Sequence, residues 1–541
     1  MGTFTEQAAD YCGNFKQFLS VIEKYGNDPA VTWYTKKGEK QTRSYCELVS
    51  DIRILENCFI RKGLSGKHIA IVGENSYEWL QVYFAAAACG AVSVCIDPEQ
   101  SEESIYNMVE WADSEAVFVS QSCAGLFTGG ERRIFRLDSG DSERMSVKDL
   151  MDRESQTGEY VSEAVCPSGD STAAIVYTSG TTALSKPVML SHRAVLINAA
   201  ESNLAVDGGK CCFSALPFCH TYGMTCAVIA TLLRGAELVF NGDMRTTMRD
   251  MSLSGAYSML TVPLVVELLY QQMWNRAEQE GRSKELKKAF RYQALKRRFG
   301  FKNIPNSFRR IKKSLFGNID LIICGGAHLD VSMAKKLDLI GVHVLEGYGI
   351  TECSPLVSVN RYGSNRLHTV GKPLPGCKVR IVDGEIQVSG PNVMEGYYKM
   401  DKETEKVLQD GWFRTGDLGE IDKDGYLKIT GRKKSLIVFK NGKKVSPEAY
   451  EKKLKKIPVI DEVLVYGAPV GGSMDDVRVA ASIYPNQIMV KDMTSYEILE
   501  ALQTEVDKLN NTLPFYQQIQ MIHIRGEEFE KNTMNKIKRY V

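Results

Sequence analysis

The chain has 541 residues, 44% hydrophobic and 25% charged, with a formal net charge of +1. That length exceeds what one hydrophobic core serves, so two or more domains are expected, and the composition excludes wholesale disorder. A near-neutral total excludes binding of a polyanion through overall charge, and no nucleic-acid partner is expected.

The first residues lack a basic stretch followed by an apolar run, so no signal peptide is expected. Glu6 stands where a myristoylation signal needs Ser or Thr. His68–Val72 is predicted as a strand, Ser76–Ala88 as a helix and Ala91–Ile96 as a strand. A helix over Ser104–Trp111 and a strand over Ala116–Val119 follow. The apolar stretch Trp79–Ile96 is long enough to span a bilayer. Its Cys89-Gly90 break and the switch to Val/Ile favour a buried helix-turn-strand unit instead. The same rhythm returns at Ala173–Tyr177, Glu237–Phe240 and Leu321–Cys324, and it predicts βαβ units with largely parallel sheets. After about Gly376 the pattern changes to short strands around tight turns. Lys378–Val382 and Gly384–Val388 flank Asp383-Gly384, and Gly419–Ile421 and Tyr426–Ile429 flank Asp422–Gly425. Beyond Lys434 comes a smaller α+β unit of ordinary domain size.

Fourteen cysteines are scattered through apolar stretches such as those of Cys89, Cys95, Cys211, Cys212 and Cys324. No Cys-x-x-Cys pair and no His/Cys cluster of zinc-ligand spacing occurs, so free thiols in a reducing cytoplasm are expected.

Tyr177-Thr-Ser-Gly-Thr-Thr182, with Lys186 just beyond, carries the strongest chemical signal. A strand feeds a loop of small hydroxyl residues and glycine, whose backbone N–H groups can approach phosphate oxygens while the lysine supplies charge. The spacing is not that of a Walker loop, which disfavours a P-loop NTPase.

Thr178-Ser179-Gly180-Thr181-Thr182 through Lys186 resembles the phosphate loop of the adenylate-forming superfamily, and further motifs follow in the family's order. Leu216–Gly223, with His220, Tyr222 and Gly223, is similar to the segment bordering the carboxylate pocket; Val262 and Gly325 join it in the implied acyl site. Gly325-Gly326-Ala327 resembles the adenine-side turn, and Gly347-Tyr348-Gly349-Ile-Thr351-Glu352 the adenine-stacking and magnesium segment. Trp412–Asp417 resembles the family segment with the ribose-binding aspartate, Gly431-Arg432 the opening of its hinge, and Lys531–Arg539 its terminal catalytic-lysine motif. Long-chain acyl-CoA synthetases are the most similar subgroup, through Thr261-Val262-Pro263 and the helical insertion before Leu321.

The resemblance implies a large N-terminal domain, 1–433, of stacked α/β sheets plus a β-rich subdomain, and a small mobile α+β C-terminal domain, 434–541. It implies that ATP and a carboxylic acid give acyl-AMP, and that the acyl group then passes to a thiol, with CoA as co-substrate. Tyr348 would offer a ring to adenine, Thr351 a donor to the α-phosphate, and Asp417 with Arg432 a ribose clamp. Glu352 and Thr182 would hold Mg2+. Lys536 would offset charge developing at phosphorus and Lys186 charge on the other phosphates. Lys434 would be the pivot, and Gly442 and Lys443 part of the thiol-acceptor loop. His220 is assigned to substrate binding, because a carboxylate is already a nucleophile and needs no general base.

Leu216–Tyr222 lacks the carboxylate that would pair a substrate ammonium, so a medium- or long-chain fatty acid is expected rather than an amino acid. Two other readings stay open: a ligase that loads an acyl carrier protein, and a non-catalytic acyl- or nucleotide-binding relative. Ala183 and Pro187 stand at family glycine positions and Asn535 where glycine precedes the terminal lysine, departures expected to affect rate. Finally, residues 282–316 hold thirteen Lys and Arg against one acid, Glu285, with Leu286, Phe290, Leu295 and Phe299 interleaved. The segment reads as a solvated hairpin or as a surface for an anionic membrane or an acidic carrier. The expected location is cytoplasmic, with that segment allowing peripheral membrane contact.

Overall fold

A computed structural model describes residues 13–127, 132–139, 144–157, 161, 165–178, 185–301, 303–327, 329–439, 443–470, 473–531 and 537–539. Two large sheets carry most of it. The first has seven strands in the order Gly396–Tyr397, Pro187–Ser191, Thr172–Tyr177, Val92–Ile96, His68–Val72, Ser114–Val119, Arg133–Arg136. The second has nine, with Leu321–Cys324, Ser258–Thr261, Cys211–Ser214 and Glu237–Phe240 parallel at its centre. The interior strands are continuous apolar runs, as a sheet covered on both faces requires.

The βαβ rhythm seen in the sequence is present, with His68–Val72, Glu237–Phe240 and Leu321–Cys324 at the expected limits. The helix expected from Ser104 starts earlier, at Glu102, because Ser101 caps it by accepting from the Ser104 N–H. The apolar stretch from Trp79 is the helix Tyr77–Ala88, a turn, and the strand Val92–Ile96. Every residue of that helix except Glu78 is buried. It shares one apolar cluster with residues of both sheets, among them Ile71, Val176, Leu238 and Phe240, and the Trp79 ring lies 5.7 Å from that of Phe218. A helix held between two sheets needs apolar residues all round, which is why the stretch imitates a membrane span. Among the described residues no helix is long and apolar enough to cross a membrane.

The turn-rich segment folds as an antiparallel sheet of Lys378–Val382, Glu385–Ser389, Trp412–Ile421, Leu408–Gln409 and Leu427–Arg432. Gly384 itself belongs to the turn (φ +77°) rather than to the strand expected to begin there. Among the described residues the last unit has a three-stranded sheet, Ile460–Val470, Ser473–Pro485 and Ile519–Ile524, and a two-stranded one, Ile437–Val438 with Lys444–Val445, packed with the helices Pro447–Leu454 and Ser495–Asn510 around Val465, Ile483 and Leu502. The architecture is the α/β class expected, with a β-rich part and a small α+β part. Thirteen cysteines are described, and all are free thiols.

Candidate active site

Parallel register explains why residues far apart in sequence meet. Cys95 is opposite Val176, so Asp97 and Thr178 emerge level from adjacent strand ends. Thr261 is opposite Cys324 and Cys324 opposite Glu346, which brings Val262, Gly325 and Gly347 out together. These are carboxyl ends of parallel strands, where α/β sheets bind ligands.

The phosphate loop is pinned at its base. The Thr178 N–H donates to the Lys186 carbonyl at 3.0 Å, and the Lys186 N–H donates to Thr178 Oγ1 at 3.1 Å. Ser179, Gly180, Thr181, Thr182 and Ala183 lie outside the described residues. Pro187 opens the strand Pro187–Ser191 opposite Tyr177, a position that tolerates proline. Its carbonyl accepts from the Tyr398 N–H at 2.8 Å.

Lys186 reaches into a set of groups that the motif did not include. Its Nζ lies 3.3 Å from Glu403 Oε2 and 4.5 Å from the centre of the Tyr397 ring. The Tyr397 hydroxyl donates to Glu352 Oε1 at 2.8 Å. Burial pushes the Glu352 carboxyl up, against the lowering effects of its own N–H, Tyr397, Lys186 and Arg432. Glu352 is held in a turn, Thr351–Cys353, with partly exposed Thr351 beside it. Tyr397 and Glu403 carry no spacing that marks them in the sequence. The pairing of Gly396 and Tyr397 with Met189 and Val188 is what brings them in.

A second set forms around Asp417. The Tyr348 hydroxyl donates to Asp417 Oδ2 at 2.7 Å, and Arg432 Nε donates to Oδ1 at 2.9 Å. Asp417 is buried and its N–H donates to Thr415 Oγ1 at 3.0 Å, so backbone and side chain are both fixed. Each carboxylate oxygen retains a second lone pair for a ligand hydroxyl. The arrangement fixes the plane of the Tyr348 ring. Gly347 and Gly349 pair with Val359 and Leu356 in the strand His343–Gly349.

Tyr222, Val262 and Gly325 also come together, with Gly223 next to Tyr222 in the chain and the His220 side chain turned to the phosphate-loop side. The chain enters a π-helix, Tyr222–Ile229, of the kind often found at functional sites and not foreseen in the sequence. The Tyr222 hydroxyl donates to the Ile323 carbonyl at 3.0 Å, and its ring lies 3.3 Å from where a Cβ on Gly325 would stand. A Cβ on Gly223 would collide with the Pro217 carbonyl oxygen, so this position admits only glycine. Gly326 follows with φ +85°, and Ala327 closes the turn. On the phosphate-loop side, His220 Nε2 faces buried Asp97 Oδ2 at 3.4 Å, in a small recess lined also by Cys95, Tyr177, Thr178, Ser185 and Cys219. Burial raises the Cys219 thiol well above the usual range. Asp97 escaped the sequence reading, although its place just past the strand Val92–Ile96 is the signal that could have found it.

Lys434 is exposed in the turn Lys433–Ser435, directly after Arg432. Lys443 is exposed next to the strand Lys444–Val445, and its carbonyl accepts from the Phe439 N–H at 2.9 Å. Gly442, Asn535 and Lys536 lie outside the described residues, although Lys531 bridges to Ile537 across the segment that holds the last two.

Strand ends that bring a phosphate-loop lysine, a buried carboxylate and an aspartate–arginine pair into neighbouring places are those of an enzyme that handles a nucleotide. A model of the AMP-binding enzyme matches residues 18–398, and a model of the AMP-binding enzyme C-terminal domain matches 434–540. The chain belongs to the AMP-binding enzyme family. It is 28% identical over 478 residues to the long-chain-fatty-acid–CoA ligase FadD15 of Mycobacterium bovis, an alignment covering 83% of this chain and 79% of that one. It is 26% identical to the peroxisomal long chain acyl-CoA synthetase 7 of Arabidopsis thaliana, with 84% and 72% covered. The solved structure of o-succinylbenzoate CoA synthetase from Bacillus subtilis, in complex with its acyl-adenylate intermediate, superposes with a TM-score of 0.74. There the identity is 20% and 96% of each chain is covered, a likeness of fold. The protein is an AMP-forming acid–thiol ligase.

Proposed function

We propose that the enzyme activates a medium- or long-chain fatty acid with ATP and transfers the acyl group to CoA. The observation that carries the choice of acid is the wall formed by Tyr222, Val262 and Gly325. The tyrosine hydroxyl is spent on a backbone carbonyl, which leaves its ring as the surface offered. Asp97, a carboxylate on a neighbouring strand end, is already opposed by His220 Nε2 at 3.4 Å rather than open to a substrate ammonium. The names of the relatives support the same substrate class.

In the first half-reaction a carboxylate oxygen of the acid bonds to the α-phosphorus of ATP as the bond to pyrophosphate breaks. Thr178, Lys186 and the loop between them would hold the phosphates, with Thr351 donating to the α-phosphate. The donor set fits Mg2+: the buried Glu352 carboxylate is a hard oxygen ligand beside the phosphate loop, and Mg2+ needs only one or two carboxylates plus phosphates. Glu352 would hold the ion, joined by Thr182, and the ion would offset phosphate charge. Tyr348 would face the adenine beside Gly326 and Ala327, and Asp417 with Arg432 would hold the ribose. His220 shapes the acid site and takes no proton. Lys536 would neutralise charge developing at phosphorus. In the second half-reaction the sulfur of CoA bonds to the acyl carbon, the bond to AMP breaks, and the thiol proton leaves to solvent. Rotation about Lys434 would exchange Lys536 for the loop holding Gly442 and Lys443, giving one site two chemistries.

Carboxylate-dependent ATP–pyrophosphate exchange tests the reading across fatty, aryl and amino acids. Exchange with aliphatic acids, followed by thioester formation with CoA, is the expected result. Exchange with amino acids alone would overturn the acyl assignment. Acyl transfer to a holo-carrier protein but not to CoA would overturn the choice of acceptor.

A further inference from the structure

The basic segment is no part of the site just described. It folds as the helices Ser283–Arg298 and Asn306–Phe316, packed on Pro263–Gln279, the helix that begins beside Val262. At 100° per residue, Leu286, Phe290 and Gln293 fall on one stripe of the first helix. That stripe is buried, with the Phe290 ring 5.8 Å from Trp274 and 4.9 Å from Phe308. The opposite stripe holds Lys284, Lys287, Lys288, Arg291, Leu295 and Arg298. All six are exposed, and among the described residues the five cations make no ion pair.

Scattered apolar side chains are common on solvated faces, but a cluster of them among cations marks an interaction surface. Here Leu295 is 54% exposed on the stripe itself, Tyr292 58% and Phe299 72% on its flank, and Phe301 62% just beyond. Four large apolar side chains gathered among cations, with Lys296 Nζ 4.9 Å from the Tyr292 ring, suit a partner that is anionic at its surface and apolar below it. A folded acidic protein offers the charge without the depth. The headgroup region of an anionic bilayer offers both: negative charge for the five cations, and an acyl boundary that Tyr292, Leu295, Phe299 and Phe301 can reach. The other face stays packed on the protein, so docking needs no unfolding.

We propose that the outward face of the helix Ser283–Arg298, together with Phe299 and Phe301, docks onto an anionic membrane surface. The inference stands on this surface alone and holds whichever acid the enzyme activates.

The test is co-sedimentation of the full chain with vesicles of phosphatidylcholine, with and without phosphatidylglycerol. Pelleting is expected with the anionic vesicles at low salt, much less with neutral ones, and loss at high salt. Each basic residue near such a surface strengthens partitioning by about fivefold, so the triple reversal Lys284→Glu, Lys288→Glu and Arg291→Glu should weaken it by about a hundredfold or more. Phe299→Ser with Phe301→Ser should weaken it by about tenfold while preserving its salt dependence. Both variants should keep the wild-type melting temperature and exchange activity on a soluble acid, since none of these residues lines the site. Failure of the wild type to pellet with anionic vesicles at low salt would overturn the proposal. So would pelleting indifferent to the triple reversal. Indifference to the phenylalanine pair, with heparin competing as well as vesicles do, would mark a general polyanion surface and overturn it too.

Discussion

Tyr397→Phe isolates one bond at the centre of the site. The substitution keeps the ring that lies 4.5 Å from Lys186 Nζ and removes the hydroxyl that donates to Glu352 Oε1 at 2.8 Å. A hydrogen bond to a charged group contributes about 1.5–3 kcal/mol, and burial already disfavours the ionised form of Glu352. If Glu352 holds Mg2+, the lost bond falls on the state that binds the ion. The Mg2+ concentration for half-maximal ATP–pyrophosphate exchange should then rise about ten- to a hundredfold. The sign of the pH effect follows from the same bond. The hydroxyl lowers the carboxyl pKa, so its removal raises it, and the acidic limb of the exchange rate should move to higher pH. Saturating Mg2+ at high pH should restore most of the rate. Mg2+ titrations at several pH values, with melting curves to confirm folding, make the measurement. An unchanged Mg2+ requirement and an unmoved acidic limb would refute a role for Glu352 in holding the ion.

Asp417→Asn removes the ionic partner of Arg432 and leaves a side chain that can still accept from Tyr348. AMP affinity by calorimetry should fall about tenfold or more. Gly223→Ala puts a methyl group against the Pro217 carbonyl, an overpacking of about 1–3 kcal/mol or more, read as a lower melting temperature and weaker acid binding. Pro187→Gly should lower stability by about 1 kcal/mol or less through the unfolded chain, with no gain in rate, because strand pairing already accommodates the proline. Asp97→Asn should leave exchange with aliphatic acids within about threefold, a change under 1 kcal/mol, whereas exchange with an amino acid lost in this variant would assign the carboxylate to substrate binding.

The parallel strands were legible because each is a short apolar run bounded by turn residues, and the phosphate-loop motif because it begins in the loop that such a strand feeds. Thr178 and Lys186 stood out in their local setting, whereas Tyr348, Asp417 and Arg432 were found through the resemblance of the ordered motifs. Tyr397, Glu403 and Asp97 did not announce themselves. Their placement depends on which strands are neighbours, Gly396–Tyr397 beside Pro187–Ser191 and Val92–Ile96 beside Thr172–Tyr177, and hydrophobic periodicity is silent about pairing. The π-helix after His220 was hidden for a related reason. Met224, Cys226, Val228 and Ile229 are apolar on every side, so no stripe reveals the wider winding. Leu295 and Phe299 looked no different from Leu286 and Phe290 until the helix face was known.

The burial of Cys219, which raises its pKa, has a consequence for an enzyme that makes a reactive acyl donor. A thiol stands next in sequence to His220, beside the recess that opens toward the phosphate loop, and a thiolate there would compete with the acceptor for the activated acid. Burial disfavours the thiolate and shields the sulfur, and both lower its reactivity toward an activated acyl group. Intact-mass spectra taken after turnover without an acceptor should therefore show the unmodified chain.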